Sequence, residues 1–266
     1  MAILKNILRW ITWVGVAAAL AIVVLYLLAS WKPAHYRPAR QTQEQKEVAT
    51  QVFYQEVFMF TSEGRRGEAY DWPFNQDLVN DFLDAIDEIA FMRPNSRNKI
   101  HSRGDVHQMM DQAGLAEPCV RFSDDCMTLM IRTNEYGKIL SADLAFSFTD
   151  DGRLKIHLKS TRVGMLPVPR FAVRHRLQLF KETLEARLEA LEEARAQMEL
   201  EGDGAVFEGF TSVDVTELFA TIIAAIDEDP LPAKIKFLDA RVKDIQITDG
   251  KLLLIIVPDE DDEEDD

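Results

Sequence analysis

The feature that most constrains this chain is an apolar run at 10–31 that contains no charged residue. As an α-helix rising 1.5 Å per residue, the run would span about 33 Å, which matches the hydrocarbon core of a bilayer. Trp10 and Trp13 lie at one end, and Tyr26 and Trp31 lie at the other. Such side chains favour the headgroup interface because they carry a polar group on an apolar body. The run therefore predicts a single transmembrane anchor.

A cleaved signal peptide is the alternative interpretation of this run. Lys5 and Arg9 supply the basic segment that a signal peptide needs, and Ala29 and Ser30 would suit cleavage. However, the run is longer than the roughly 7–15 apolar residues of a signal peptide. We therefore expect a retained anchor.

The anchor divides the chain into segments. We predict a short tail at 1–9, the anchor at 10–31, a stalk at 32–43, one α+β domain at 44–257 and a disordered acidic tail at 258–266. The formal net charge is −15, and the last eight residues alone carry −8. Because nucleic-acid binding needs a basic face, nucleic acid is not an expected partner.

Apolar periodicity predicts helices in four places. Helical spacing covers 44–60, and a second helix capped by Asn75 follows, with Leu78, Phe82, Ile86 and Ile89 on its apolar face. The clearest helical pattern is the amphipathic stretch 170–200. Its apolar seam repeats every seven residues, at Leu177, Leu184, Leu191 and Met198. A last helix precedes Pro230.

Alternating apolar residues predict antiparallel strands. The strongest hairpin joins two strands around the turn at 150–152, and further strands follow at 235–237 and 242–247. The final run, 251–257, is apolar on both faces and is expected in the middle of a sheet or under a helix. The predicted fold is α+β: a curved antiparallel sheet packed on the long amphipathic helix and on shorter helices.

The region 152–258 resembles the YpmS family of membrane-anchored bacterial proteins. The resemblance lies in a strand ending LKSTRVGMLPVP, a long helix, and closing strands that end in an apolar run before Pro258. The segment 74–83 is similar to a short helix with a central Asn in that family. The resemblance implies an N-terminal anchor followed by an extracytoplasmic domain. Basic residues lie on both sides of the anchor in nearly equal number, so charge alone does not set its orientation. The resemblance therefore favours a domain on the outer side of the cytoplasmic membrane.

Motifs for catalysis, metal binding or cofactor binding are absent from the sequence. The five histidines do not form HExxH, and no GxSxG, GxxxxGK[ST] or GxGxxG occurs. We therefore expect no catalytic residue, no metal and no cofactor. Cys119 and Cys126 bracket a short turn, and two interpretations are open: a disulfide across a hairpin, or two thiols.

The favoured function is a non-catalytic module that binds a lipid or another apolar ligand near the bilayer. The candidate ligand-facing residues form an apolar stripe: Leu144, Phe146, Phe148, Leu154, Ile156, Leu158, Ile235 and Phe237. The competing interpretation is that this stripe is simply the domain core, as apolar stripes usually are. The alternative function is an interaction or scaffold module that binds another envelope protein through the helix at 170–200. An enzyme is the least favoured class.

Overall fold

The computed structural model describes residues 2–91, 105–112, 114–169, 226, 230–235 and 238–259, with the side chains of the first helix described from Val14 onward. Five helices lie in these ranges: α1 Ala2–Ser30, α2 Gln43–Gly64, α3 Gln76–Asp84, α4 Ile86–Phe91 and α5 Asp105–Gln112. The predicted helices at 170–200 and before Pro230 lie outside the described residues, except for Ile226. The acidic tail lies outside them after Asp259.

Local capping chemistry sets where two of the helices begin. At α2, the Thr42 hydroxyl accepts a hydrogen bond from the Gln45 amide, and the Gln45 side chain accepts one from the Thr42 amide. At α3, the predicted cap is confirmed, since Asn75 accepts from the Asp77 amide at 3.0 Å. The helix predicted after Asn75 is divided: α3 ends at Asp84 with Ala85 as its C-cap, and α4 begins at Ile86.

The strands form two antiparallel sheets. The four-stranded sheet has the order β1-β9-β8-β7, and the five-stranded sheet has the order β2-β3-β4-β5-β6. The strands are β1 Tyr70–Asn75, β2 Leu115–Ser123, β3 Cys126–Thr133, β4 Ile139–Phe148, β5 Leu154–Val163, β6 Leu166–Pro167, β7 Lys234–Ile235, β8 Ala240–Thr248 and β9 Lys251–Pro258.

The α+β class and the antiparallel pairing are confirmed, but the strands divide into two sheets where we expected one. The apolar run at 251–257 lies, as predicted, in the middle of a sheet, because β9 pairs with β1 on one side and β8 on the other. The predicted hairpin is also confirmed: β4 and β5 pair around Gly152, whose φ of 73° suits a glycine in a tight turn.

The two sheets meet where their hairpin turns approach each other. The Asp125 amide donates to the Ile247 carbonyl at 3.1 Å, and the Gly250 amide donates to the Phe122 carbonyl at 3.1 Å. A buried apolar cluster of Leu83, Val120, Phe122 and Ile247 fills the space between α3 and the two sheets. This cluster is the core that joins the helical layer to both sheets.

Asn80 is a buried polar residue beside that core. Its side-chain amide donates to the Val120 carbonyl at 3.0 Å, and its side-chain carbonyl accepts from the Val120 amide at 2.7 Å. The pair of hydrogen bonds ties α3 to β2. Both backbone groups of Val120 are therefore satisfied on the side of β2 where none of the described strands pairs with it.

The segment 32–43, predicted as a stalk, contains a residue that packs against the five-stranded sheet. Tyr36 is 2% exposed and lies in a cluster with Cys119, Met130 and Ile139. The sequence did not indicate this contact, because a single aromatic residue between two prolines gives no periodic signal.

The first helix, α1, is 29 residues long. Within the described part of the chain, no helix combines the length and the hydropathy that a membrane crossing needs.

Candidate functional site

Two turns of the five-stranded sheet hold the C-terminal end of α1. The end of the sheet that contacts α1 is called the anchor end, and it comprises the start of β2, the β3–β4 turn and the β5–β6 turn. The opposite end, which faces β8, is the distal end. At the anchor end the Met165 amide donates to the Leu28 carbonyl at 3.0 Å. That carbonyl is one of the last four of the helix, which have no partner within the helix.

The approach of the β5–β6 turn to α1 requires a glycine. Gly164 has a φ of 60°, and a Cβ added there would lie 2.6 Å from the Ala29 carbonyl oxygen. A side chain at 164 is therefore excluded both by backbone conformation and by contact with the helix.

Lys138 supplies a second tie from the β3–β4 turn. Its ammonium group donates to the Ser30 hydroxyl and lies 4.3 Å from the centroid of the Tyr26 ring. A cation over an aromatic face is attracted by the ring quadrupole. The end of α1 is thus bound to the domain by a backbone hydrogen bond, a side-chain hydrogen bond and a cation–π contact.

A polar cleft opens beside this junction. Its volume is about 400 Å³, within the roughly 300–1,000 Å³ of ordinary ligand sites. The residues that line it come from the end of α1, from the following segment and from the anchor end of the sheet: Ser30, Lys32, Tyr36, Arg40, Glu117, Arg132, Gly137 and Ile139. We call it the Glu117 cleft.

Glu117 is the central charge of the cleft. Its Oε1 accepts from Nη2 of Arg40 at 3.0 Å, and its Oε2 accepts from Nε of Arg132 at 3.0 Å. Its backbone has a φ of 51°, which is rare for a residue with a side chain. The residue lies where the β2–β3 register shifts between Ala116 and Cys119, so a bulge directs it.

Tyr36 forms the buried wall of the cleft. Its hydroxyl donates to the Glu117 carbonyl at 2.8 Å. Burial, and then the negative charge of Glu117, raise the pKa of Tyr36 above its ordinary value of 10.0. The phenol is therefore a neutral hydrogen-bond donor at physiological pH.

Positive charge predominates in the cleft. Lys32, Arg40 and Arg132 line it together with the single carboxylate of Glu117. The ammonium of Lys32 lies 5.1 Å from the centroid of the Tyr36 ring. The local excess of positive charge contrasts with the net charge of −15 of the whole chain.

The predicted ligand-facing residues do not line this cleft. Leu144, Ile156 and Leu158 are only 1%, 1% and 3% exposed, and they pack with Ile226. Phe146 and Leu154 are partly buried against the same cluster.

The rest of the predicted stripe is dispersed. Ile235 packs against a different cluster, in the four-stranded sheet, which contains Trp72 and Ile256. Phe148 is partly buried, and Phe237 lies outside the described residues. The stripe predicted as one surface is thus divided between two sheets.

The two cysteines are free thiols, so a disulfide between Cys119 and Cys126 does not form. They do lie on the neighbouring strands β2 and β3, but the register places Cys119 opposite Met130 and Cys126 opposite Ser123. The offset along the strands separates the two sulfurs too far for a bond.

Two polar pairs elsewhere have histidine partners. The Ser147 hydroxyl lies 2.8 Å from Nε2 of His157. Asp87 lies 2.6 Å from Nδ1 of His107 and also accepts from two backbone amides of α5. Among the described residues no carboxylate completes a triad with Ser147 and His157, and no group of three metal-ligating side chains occurs.

Sequence reasoning missed the Glu117 cleft. In the sequence, no pattern distinguishes Lys32, Arg40 and Arg132 from ordinary surface residues. One signal was available: Pro118 interrupts an alternating strand directly after Glu117, and proline within a strand favours a bulge or an edge.

No family model, no curated protein and no solved structure matches this chain.

Proposed function

We propose that this chain is a single-pass, membrane-anchored, non-catalytic module that binds a lipid close to the bilayer. In this proposal α1 crosses a bacterial inner or cytoplasmic membrane, and the α+β domain lies on the extracytoplasmic side. The resemblance of 152–258 to the YpmS family supports the same topology and is part of the proposal.

The anchor is supported by the exposure of apolar side chains along α1. The residues from Ile22 to Leu27 are consecutive, and each is 47–66% exposed. Six consecutive helical positions cover every side of a helix, so α1 presents apolar groups all round. Such a helix is typical of a bilayer environment or of a buried core. The side chains of α1 are described from Val14 onward. The uncharged sequence of the whole run 10–31 is therefore the second support for the anchor.

The observation that carries the proposal is the attachment of α1 to the anchor end of the sheet. The hydrogen bond from Met165 to Leu28 and the contacts of Lys138 hold the end of the helix against the domain. If α1 crosses a bilayer, the domain therefore stands on the surface in a fixed orientation. Trp31, which is 63% exposed, then lies at the headgroup level.

In the proposed orientation, the Glu117 cleft lies beside the headgroups. Ser30 and Lys32, at the end of the anchor, line it directly. The buried stripe of Leu144, Ile156 and Leu158 favours the cleft over a groove in the sheet as the place where a lipid binds. Binding is the favoured activity because three cations line the cleft, and because the Ser30 hydroxyl there accepts from the Lys138 ammonium, which is not a base in its charged form.

The test combines membrane extraction with lipid analysis of the full-length chain. We expect the chain to stay in the membrane pellet at alkaline pH, and a reporter at the C-terminus to be active only outside the cytoplasm. A variant with Leu20→Lys and Val23→Lys should leave the pellet, since lysine at the centre of a span costs about 2.5–3.5 kcal/mol per residue.

Native mass spectrometry of the detergent-purified chain tests the ligand. A lipid retained in a fixed ratio to protein is expected. Release of the unaltered chain from the membrane by alkali would refute the anchor, and protein devoid of lipid would refute the binding function.

A further inference from the structure

Three cationic side chains and one carboxylate meet at the Glu117 cleft, directly beside the end of α1. We infer that this cleft binds the phosphate of an anionic lipid headgroup, with Arg40 and Arg132 as the principal donors and Glu117 as the internal counter-ion that positions them. The inference rests on the proposed function and names the class of its ligand.

The donors have capacity beyond their contacts with Glu117. The carboxylate engages Nη2 of Arg40 and Nε of Arg132. Each guanidinium carries five N–H donors in a planar fork, so each can also reach a phosphate oxygen. Arginine is the residue best suited to this task because its fork matches phosphate geometry.

Burial and exposure in the cleft suit a ligand that arrives from the bilayer surface. The side chain of Arg40 is 73% exposed, whereas those of Arg132 and Glu117 are 35% and 28% exposed. The inner arginine thus lies against the sheet in its ion pair with Glu117, and the outer one is open to a headgroup. Lys32 lies on the rim, where the chain leaves the anchor.

The charge balance selects an anion. Glu117 neutralises one of the three cations, so the cleft keeps an excess of positive charge even with both ion pairs formed. A zwitterionic headgroup brings no net charge to neutralise this excess, whereas a phosphatidylglycerol headgroup brings one negative charge. Position next to the anchor favours a lipid over a soluble phosphate, because the bilayer holds its headgroups there at high local concentration.

The experiment uses the full-length chain in nanodiscs of phosphatidylcholine, alone or mixed with phosphatidylglycerol. The lipid that stays bound after release from the nanodisc is identified by native mass spectrometry. We expect preferential retention of phosphatidylglycerol. Arg132→Gln and Arg40→Gln should each lower this retention about tenfold, because each removes a hydrogen bond from a charged donor.

Glu117→Gln should act in the opposite direction and raise retention, because it removes the negative charge that competes with the phosphate, while an amide of the same volume can still accept a hydrogen bond from an arginine. Opposite signs for the arginine and glutamate variants distinguish ligand binding from a structural ion pair. Loss of retention in all three variants, or no change in any, would overturn the inference. Lys32→Gln, on the exposed rim, should lower retention without affecting folding and remains informative if the other variants are unstable.

Arg37→Gln is the matched control, since Arg37 belongs to the same basic segment, is exposed, and does not line the cleft. This variant should leave lipid retention unchanged. A loss of retention equal to that of the cleft variants would mean that only the general surface charge attracts the lipid, and would overturn the inference.

A second test adds soluble glycerol phosphate at a concentration equal to that of the lipid. If it displaces the lipid, the cleft binds a free phosphate, and the proposal of a lipid ligand is overturned. Protein that enters nanodiscs and keeps a lipid without headgroup preference would overturn this inference alone and leave the proposed function standing.

Discussion

The two ends of the five-stranded sheet differ in what covers them. At the distal end, Leu144, Ile156 and Leu158 are buried under protein, and hydrogen bonds join the β2–β3 turn to the second sheet. At the anchor end, the same strands β2, β3 and β4 carry Glu117, Arg132 and Ile139 into an open cleft. The sheet thus buries apolar side chains at its distal end and leaves a charged, open cleft at the other.

The transition between the two ends coincides with an irregularity in the sheet. The register of β4 and β5 shifts between Asp143 and Leu144. Asp143 accepts from Thr128 at 2.8 Å and from Arg162 at 2.6 Å, whereas Leu144 is 1% exposed. A bulge bends a strand and changes the direction of its side chains, so one strand can serve a polar region and an apolar core.

Ile156→Ala should produce the largest effect, because it removes buried volume from the distal end. Ile156 is 1% exposed, and truncation of such a residue costs about 2–5 kcal/mol of stability. Met165→Ala is the control at the anchor end: Met165 is 54% exposed, so its loss should change stability by about 0.5 kcal/mol or less. Thermal unfolding in detergent, followed by circular dichroism, measures both. Equal costs would contradict the contrast between the two ends.

Asn80→Ala should give the next largest effect. It would leave the buried amide and carbonyl of Val120 without their partners, at a cost of about 2–4 kcal/mol. Asn134→Ala is the control, because Asn134 makes an exposed hydrogen bond with Asp111. The same unfolding measurement compares the two asparagines. If Asn80→Ala proves as mild as Asn134→Ala, the tie between α3 and β2 contributes little to the core that joins the helices to the sheets.

Gly164→Ala should selectively weaken the attachment of α1. Gly164 and Gly137 both have a φ of 60°, but only at Gly164 would an added Cβ lie within 3 Å of backbone atoms of α1. Both alanine variants carry the cost of positive φ, about 1–2 kcal/mol, and only Gly164→Ala should also displace the helix. Hydrogen exchange of the Met165 amide, which bonds to Leu28, reports the displacement. Fast exchange in both variants, or in neither, would argue against the glycine requirement.

The smallest effect should be a pH dependence in the helical layer. The hydrogen bond to Asp87 raises the pKa of His107 above its ordinary value of 6.5. Burial alone would raise the pKa of Asp87, but its hydrogen bonds from His107 outweigh burial and lower it. Lys46 opposes the charged form of His107, and Asp84 favours it.

The sign of this dependence follows from the two shifts. The contribution of His107 to the free energy of unfolding is complete below pH 6.5 and is lost as pH rises through the raised pKa of His107. The contribution of Asp87 is lost as pH falls through the lowered pKa of Asp87. The ion pair should therefore stabilise the fold most at pH values between the pKa of Asp87 and that of His107. The stabilisation should be less than about 1 kcal/mol because His107 is partly exposed. Unfolding across a pH series, with His107→Gln as control, checks this. An unchanged profile in that variant would show that the pair is not the titrating element.

Periodicity predicted the strands and helices that depend on local pattern. The cap at Asn75, the hairpin around Gly152 and the central position of 251–257 follow from residue types at short range, and all three are confirmed. The candidate site was not predictable in this way. Tyr36, Glu117 and Arg132 are distant in sequence, and only the packing of the segment after α1 brings them together.

The sequence by itself determined the order of apolar and polar segments, because burial patterns repeat every two residues in a strand and about every 3.6 in a helix. Tertiary structure alone decided how these segments are used. It divided the strands into two sheets, turned the stripe at Leu144, Ile156 and Leu158 into core, and separated Cys119 from Cys126 by strand register. The cleft exists because a bulge at Glu117 and a buried Tyr36 place charges from distant segments side by side, and pairings over such distances leave no local pattern in the chain.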